Sequence, residues 1–82
     1  MTVTLYTTAG CHLCELALEQ LQDLQKTRPI EIRSVEIGDN DDLVERYGVR
    51  IPVIQCANQQ ELGWPFALPE LKAFLQANCA EL

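Results

Sequence analysis

A cysteine pair, Ala9-Gly10-Cys11-His12-Leu13-Cys14, constrains this chain more than any other feature. An apolar strand pattern, Thr2-Val3-Thr4-Leu5-Tyr6, runs straight into it, and a helical pattern over residues 12–26 runs straight out. Two residues three apart on one helical turn share a face, with Cα atoms about 5–5.5 Å apart. A disulfide needs about 4.4–6.8 Å, so the sulfurs can join and part with little backbone movement. The junction also sets Cys11 over the free N–H groups of the first turn, which favour a negative charge. In an intracellular chain such a pair reads as a thiol–disulfide redox site, with Cys11 attacking and Cys14 resolving.

Size and charge narrow the surroundings of that site. The 82 residues suffice for one modest core, so residues 1–82 are expected to form a single domain. Twelve acidic against six basic side chains leave a net charge of −6, which repels phosphate backbones and anionic lipid and argues against nucleic-acid or membrane partners. No apolar run is long enough to span a bilayer, and the strand pattern starting at Thr2 leaves no room for a secretion signal. The expectation is a soluble, cytoplasmic monomer. Four cysteines are too few for a disulfide-stapled scaffold, and in a reducing compartment a spaced pair more often does chemistry than holds a fold.

The helix carries Leu13, Leu16, Ala17, Leu21 and Leu24 as its core-facing stripe, with Leu18 off it, and stops at Thr27-Arg28-Pro29. Residues 30–37 read as a strand whose alternation slips near Ser34, which implies a bulge or a change of environment. Asn40, Asp41 and Asp42 supply caps and first-turn acids for a short helix over 41–47, with Gly48 as its stop. Residues 49–56 form a third strand containing Pro52, Ala57-Asn58 a turn, and residues 59–62 the returning strand. A last helix begins at Leu68-Pro69 and turns Leu71, Phe74, Leu75 and Asn78 towards the core. Cys56 and Cys79 read as small buried apolar residues and not as redox partners. Trp64 and Phe66 read as packing.

The order β-α-β-α-β-β-α gives an α/β fold with two parallel strands joined by a right-handed helical crossover, then a hairpin and a covering helix. Cys11-His12-Leu13-Cys14 after the first strand and Tyr47-Gly48-Val49-Arg50-Ile51-Pro52-Val53 entering the third resemble the thioredoxin superfamily. The compact size is similar to that of glutaredoxins, and Glu61-Leu62-Gly63-Trp64-Pro65-Phe66 is similar to the small bacterial glutaredoxin-like family. The resemblance implies a thioredoxin-like fold: a four-stranded mixed sheet with flanking helices. It also implies that Pro52 is cis and faces the cysteines, and that Ile51 offers backbone hydrogen bonds to a substrate. Arg50, two residues before Pro52, is a candidate for a substrate carboxylate, and Leu13 for a partner's apolar side. A protonated His12 beside the Cys11 thiolate would stabilise it, whereas Glu15 would oppose it.

The implied activity is reduction of protein or glutathione mixed disulfides, with no resident cofactor and glutathione as a candidate reductant. Glutaredoxins commonly place a lysine before the first cysteine and a Gly-Gly-x-Asp-like turn after the fourth strand. Thr7-Thr8-Ala9-Gly10 has no base, and Gly63-Trp64-Pro65-Phe66-Ala67 lacks the second glycine and the aspartate. The tryptophan that precedes the thioredoxin motif is replaced by Gly10, so the electron donor is left open. Two other classes compete. Soft thiolates suit a metal or iron–sulfur carrier, although Cys56 and Cys79 are not spaced as a second Cys-x-x-Cys and no four-ligand metal set is expected. A thioredoxin-fold module that only binds partners is the other.

Overall fold

The computed structural model describes residues 1–79. Its elements are β1 (Thr2–Thr7), α1 (His12–Gln25), β2 (Glu31–Glu36), α2 (Asp41–Tyr47), β3 (Val53–Cys56), β4 (Glu61–Gly63) and α3 (Leu68–Asn78). They form one four-stranded sheet in the order β2-β1-β3-β4. β1 and β2 run parallel, and β3 and β4 each run antiparallel to their neighbour. This is a thioredoxin-like mixed sheet with three helices.

Two apolar layers hold the helices on. Val3 and Leu5 from β1 and Ile54 and Cys56 from β3 meet Ala17, Leu21 and Leu24 of α1 and Leu71 and Leu75 of α3. On the other face Tyr47 of α2 packs with Ile37 and Val53, and Tyr6, Leu43 and Ile51 lie against them. The alternation of β1 sorts its side chains, Val3 and Leu5 to one layer and Tyr6 to the other.

β2 explains its own irregular pattern. Its pairing with β1 runs unbroken from Thr2↔Glu31 to Thr7↔Glu36, so there is no bulge. The apolar positions change faces instead. Ile30 and Ile32 join the α1–α3 layer, while Ile37 joins the α2 layer and Val35 pairs beside Tyr6.

Three expectations are corrected. The buried stripe of α1 is Cys14, Ala17, Leu21 and Leu24, whereas Leu13 is exposed. Leu18 packs against the core after all, because α1 is rotated to bury Cys14 at the head of its stripe. The third strand is shorter than residues 49–56. Arg50 and Ile51 donate their N–H groups to the Tyr47 carbonyl at 2.7 and 3.0 Å, which turns the chain before β3 can pair. The returning strand starts later than residue 59, since Gln59 takes a left-handed φ of 70° and closes the turn by donating to Cys56 O at 2.9 Å.

Side-chain caps set the helix starts where the sequence supplies them. Asn40 accepts from the Leu43 N–H at 3.1 Å. Ala67 has no capping side chain, and Glu70 reaches back to its N–H at 3.2 Å.

Tyr47 is 1% exposed, stacks on Tyr6 at 4.1 Å and donates to the Glu61 carboxylate. Burial, then the Glu61 hydrogen bond, raise its pKa from 10.0 to about 12. A raised folded-state value means that this stabilisation is fully present below the unfolded pKa and is lost as pH rises through the range from 10 to about 12. The expected outcome is an ultraviolet phenolate titration in which Tyr47 ionises near pH 12, together with alkaline unfolding. Ionisation of Tyr47 near pH 10 in a chain that stays folded would refute it.

Candidate active site

The parallel β1–β2 pair and the antiparallel β1–β3 pair bring three loops to one end of the sheet. The β1–α1 loop leaves that end through Thr8, Ala9 and Gly10, where Gly10 takes φ +78°. A side chain there would be strained. The turn lets the Cys11 N–H donate to Thr8 O at 3.2 Å and delivers Cys11 to the N-cap of α1.

Cys11 and Cys14 are joined through their sulfurs, with Cα atoms 5.2 Å apart. The Cys14 N–H donates to Cys11 Sγ at 3.1 Å, so the sulfur takes the place of the usual capping oxygen. Cys11 is half-buried and Cys14 is 3% exposed. A cleft of about 220 Å³ touches both and is lined further by Thr7, Thr8, Ala9, Gly10, Glu15, Leu18 and Ser34. No lysine or arginine lines it.

The structure distributes the other candidate residues unevenly. His12 is exposed, and its Nδ1 faces a Glu15 carboxylate oxygen at 3.5 Å. Leu13 is 43% exposed beside the cysteines. Pro52 is fully buried just before Val53, which pairs with Tyr6, so it lies at the end of the sheet from which the cysteine loop departs. The Ile51–Pro52 and Trp64–Pro65 peptide bonds are cis. The Ile51 N–H donates to Tyr47 O at 3.0 Å. Arg50 is likewise engaged within the chain, 3.3 Å from a Glu61 oxygen and 5.6 Å from the centre of the Tyr47 ring. That pairing answers its charge within the chain while the side chain stays partly exposed. None of His12, Leu13, Arg50, Ile51 and Pro52 lines the cleft. Trp64 and Phe66 meet edge to face at 5.0 Å and pack on the core.

One residue of the site was not legible in sequence. Glu36 ends β2 opposite Thr7, and its carboxylate accepts from the Ala9 N–H at 2.9 Å and the Gly38 N–H at 2.7 Å. It thereby ties the loop before Cys11 to the loop after β2. These bonds, that of Gly38 first and then those of the Thr8 side chain and the Ala9 N–H, hold the Glu36 pKa below the usual 4.5. A lowered folded-state value means that the stabilisation is present above the unfolded pKa and lost as pH falls through the lower, folded one. The expected result is that the Ala9 and Gly38 amide resonances shift together only in acid below the ordinary carboxylate range. In Glu36→Gln both should stay flat over that range and exchange faster with solvent at neutral pH. Amide shifts in the unsubstituted chain that do not move in acid would remove Glu36 from this role.

Among the described residues no group of three or more His, Cys, Asp or Glu side chains could hold a metal ion. Nor is any helix there long and apolar enough to cross a membrane.

The chain is similar in structure to the structural-genomics target XcR50 from X. campestris. Its crystal structure shares 40% identity at a TM-score of 0.83, covering 92% of this chain and 96% of that one. Protein Ne2328 from Nitrosomonas europaea is 29% identical at a TM-score of 0.76, covering 89% and 88%. Thioredoxin 1 from Thermosipho africanus, 15% identical over 94% and 97% at a TM-score of 0.64, shares the fold. No functionally curated protein matches the chain. The family profile described as Glutaredoxin-like domain (DUF836) matches residues 2–76, nearly everything from β1 to the end of α3, and the chain therefore belongs to this glutaredoxin-like family.

Proposed function

We propose that this protein is a dithiol–disulfide oxidoreductase of the cytoplasm, acting on disulfide-containing proteins in preference to glutathione mixed disulfides. The observation that carries the reading is the asymmetry of the cysteine pair: Cys11 is half-buried at the helix N-cap, while Cys14 is buried one turn behind it. Attack needs an accessible sulfur, and resolution needs only one within reach. In the first step the Cys11 thiolate displaces one sulfur of the substrate, forming a mixed disulfide and releasing a substrate thiol. Cys14 then attacks Cys11, expels the second substrate thiol and closes the intramolecular disulfide. The pair has lost two electrons and the substrate has gained them.

Magnitudes show where catalysis would arise. A thiol with a pKa of about 8.5 is roughly 3% thiolate at pH 7, and one at about 7 is roughly half. That fifteenfold gain is cut about fivefold because nucleophilicity falls with pKa, leaving about threefold. The larger contributions are the better leaving group that a stabilised Cys11 makes and the high effective concentration of Cys14. The Cys14 N–H at 3.1 Å from Cys11 Sγ supports the first, and the 5.2 Å Cα separation supports the second.

Substrate preference follows from charge. Glutathione is anionic, the chain carries −6, and the cleft at the cysteines has no cation among its lining residues. The exposed Leu13 offers an apolar contact to a protein partner. The test is Cys14→Ser, offered a protein disulfide and a glutathione mixed disulfide in parallel. A stable adduct through Cys11 to the protein, with little to glutathione, is expected. An adduct through Cys14 in Cys11→Ser would reverse the roles, and faster turnover of the glutathione substrate would overturn the preference. Stoichiometric metal on anaerobically purified protein without a reversible dithiol couple would replace the reading with a carrier.

A further inference from the structure

Cys56 and Cys79 take no part in the chemistry above, yet their sulfurs are joined, with Cα atoms 5.1 Å apart and a sequence separation of 23. The bond links the last residue of β3 to the C-cap of α3. Both ends are buried, at 3% and 6% exposure, within the layer that holds Leu71 and Leu75 on the sheet. Cys56 pairs opposite Val3, at the end of β1 away from the Cys11 loop. Cys56 lies four residue steps along the chain from Pro52, about 13 Å. Sulfur exchange needs contact, so the two pairs cannot pass electrons directly to each other.

We propose that Cys56 and Cys79 form a second redox couple, insulated from the first, whose closure locks α3 onto the sheet. Its reactants are a small thiol and its disulfide. Closing begins when one cysteine displaces a thiol from the small disulfide. The other cysteine then displaces the second thiol, leaving a protein disulfide and two small thiols that take up the protons. Opening is the reverse exchange. Two properties separate this couple from Cys11–Cys14. Apolar surroundings disfavour its thiolates, and a reductant reaches it only when the last turn of α3 leaves the sheet. The Cys79 N–H is bonded to Leu75 O at 2.8 Å, so that turn is what must open. Closing a loop of this length constrains the unfolded chain, and the melting temperature rises by about 10 °C or more.

The experiment equilibrates the oxidised full chain in glutathione buffers of increasing reducing strength and traps free thiols by alkylation, with the labelled peptides located by mass. A species labelled only at Cys11 and Cys14 should accumulate first. Labelling of Cys56 and Cys79 should then accelerate at least about tenfold in mild urea, which populates local opening. Labelling of all four cysteines at one rate, or of Cys56 and Cys79 in the air-oxidised chain, overturns the proposal. A second measurement uses Cys11→Ser/Cys14→Ser, which removes the first couple and with it any dependence on the proposed activity. Its melting temperature should fall by about 10 °C or more on reduction, whereas equal values with and without reductant overturn the lock.

Discussion

Cys11→Ser should lower the reduction of disulfide substrates by at least about 10³-fold while leaving the fold as stable as that of the reduced parent. The two halves of that result have separate causes. A serine hydroxyl is hardly ionised at neutral pH and cannot form the mixed disulfide, so the covalent route disappears and only uncatalysed exchange remains. Yet Cys11 is the N-cap of α1, where its sulfur accepts the Cys14 N–H. Serine is among the preferred residues at that position, so its oxygen can take over the hydrogen bond. Thermal melting of the variant and the parent, both fully reduced, checks the second half, and turnover checks the first. Activity within tenfold of the parent would show that Cys11 is not the attacking group.

Leu21→Ala should cost about 3 kcal/mol and lower the melting temperature by about 12–24 °C. Leu21 is 0% exposed in the middle of the α1 stripe, in the layer that also holds Val3, Leu5, Ile54 and Leu71. Truncation there removes transfer energy and leaves a void that the sheet and α3 are too well fixed to fill. A domain of 82 residues has about 4–12 kcal/mol of stability in all, so this one change can consume a large part of it. Leu13→Ala, on an exposed position of the same helix, should shift the melting temperature by no more than a few degrees. Similar losses from both would mean that α1 is not rotated as described.

That contrast also shows how far local pattern reaches. The spacing of Leu16, Ala17, Leu21 and Leu24 is enough to predict a helix, but either edge of the stripe could face the core. Docking chose the edge headed by Cys14, leaving Leu13 exposed and drawing Leu18 inward. Arg50 looked free because Glu61 is eleven residues away, across the turn that β3 and β4 make. Glu36 looked like one more polar residue on a strand until the parallel register set it opposite Thr7.

The chain by itself determined the element order and the spacing of the cysteine pair, because those rest on interactions among residues close in sequence. Helical spacing places Cys11 and Cys14 together, glycine admits the φ of +78° at Gly10, and alternation builds β1. Only the tertiary structure decided what crosses between elements. It set Glu36 on the cysteine loop, paired Arg50 with Glu61, and brought Cys56 within 5.1 Å of Cys79. Such contacts depend on register and on the rotation of a docked helix, and both are settled by burying the whole apolar surface at once.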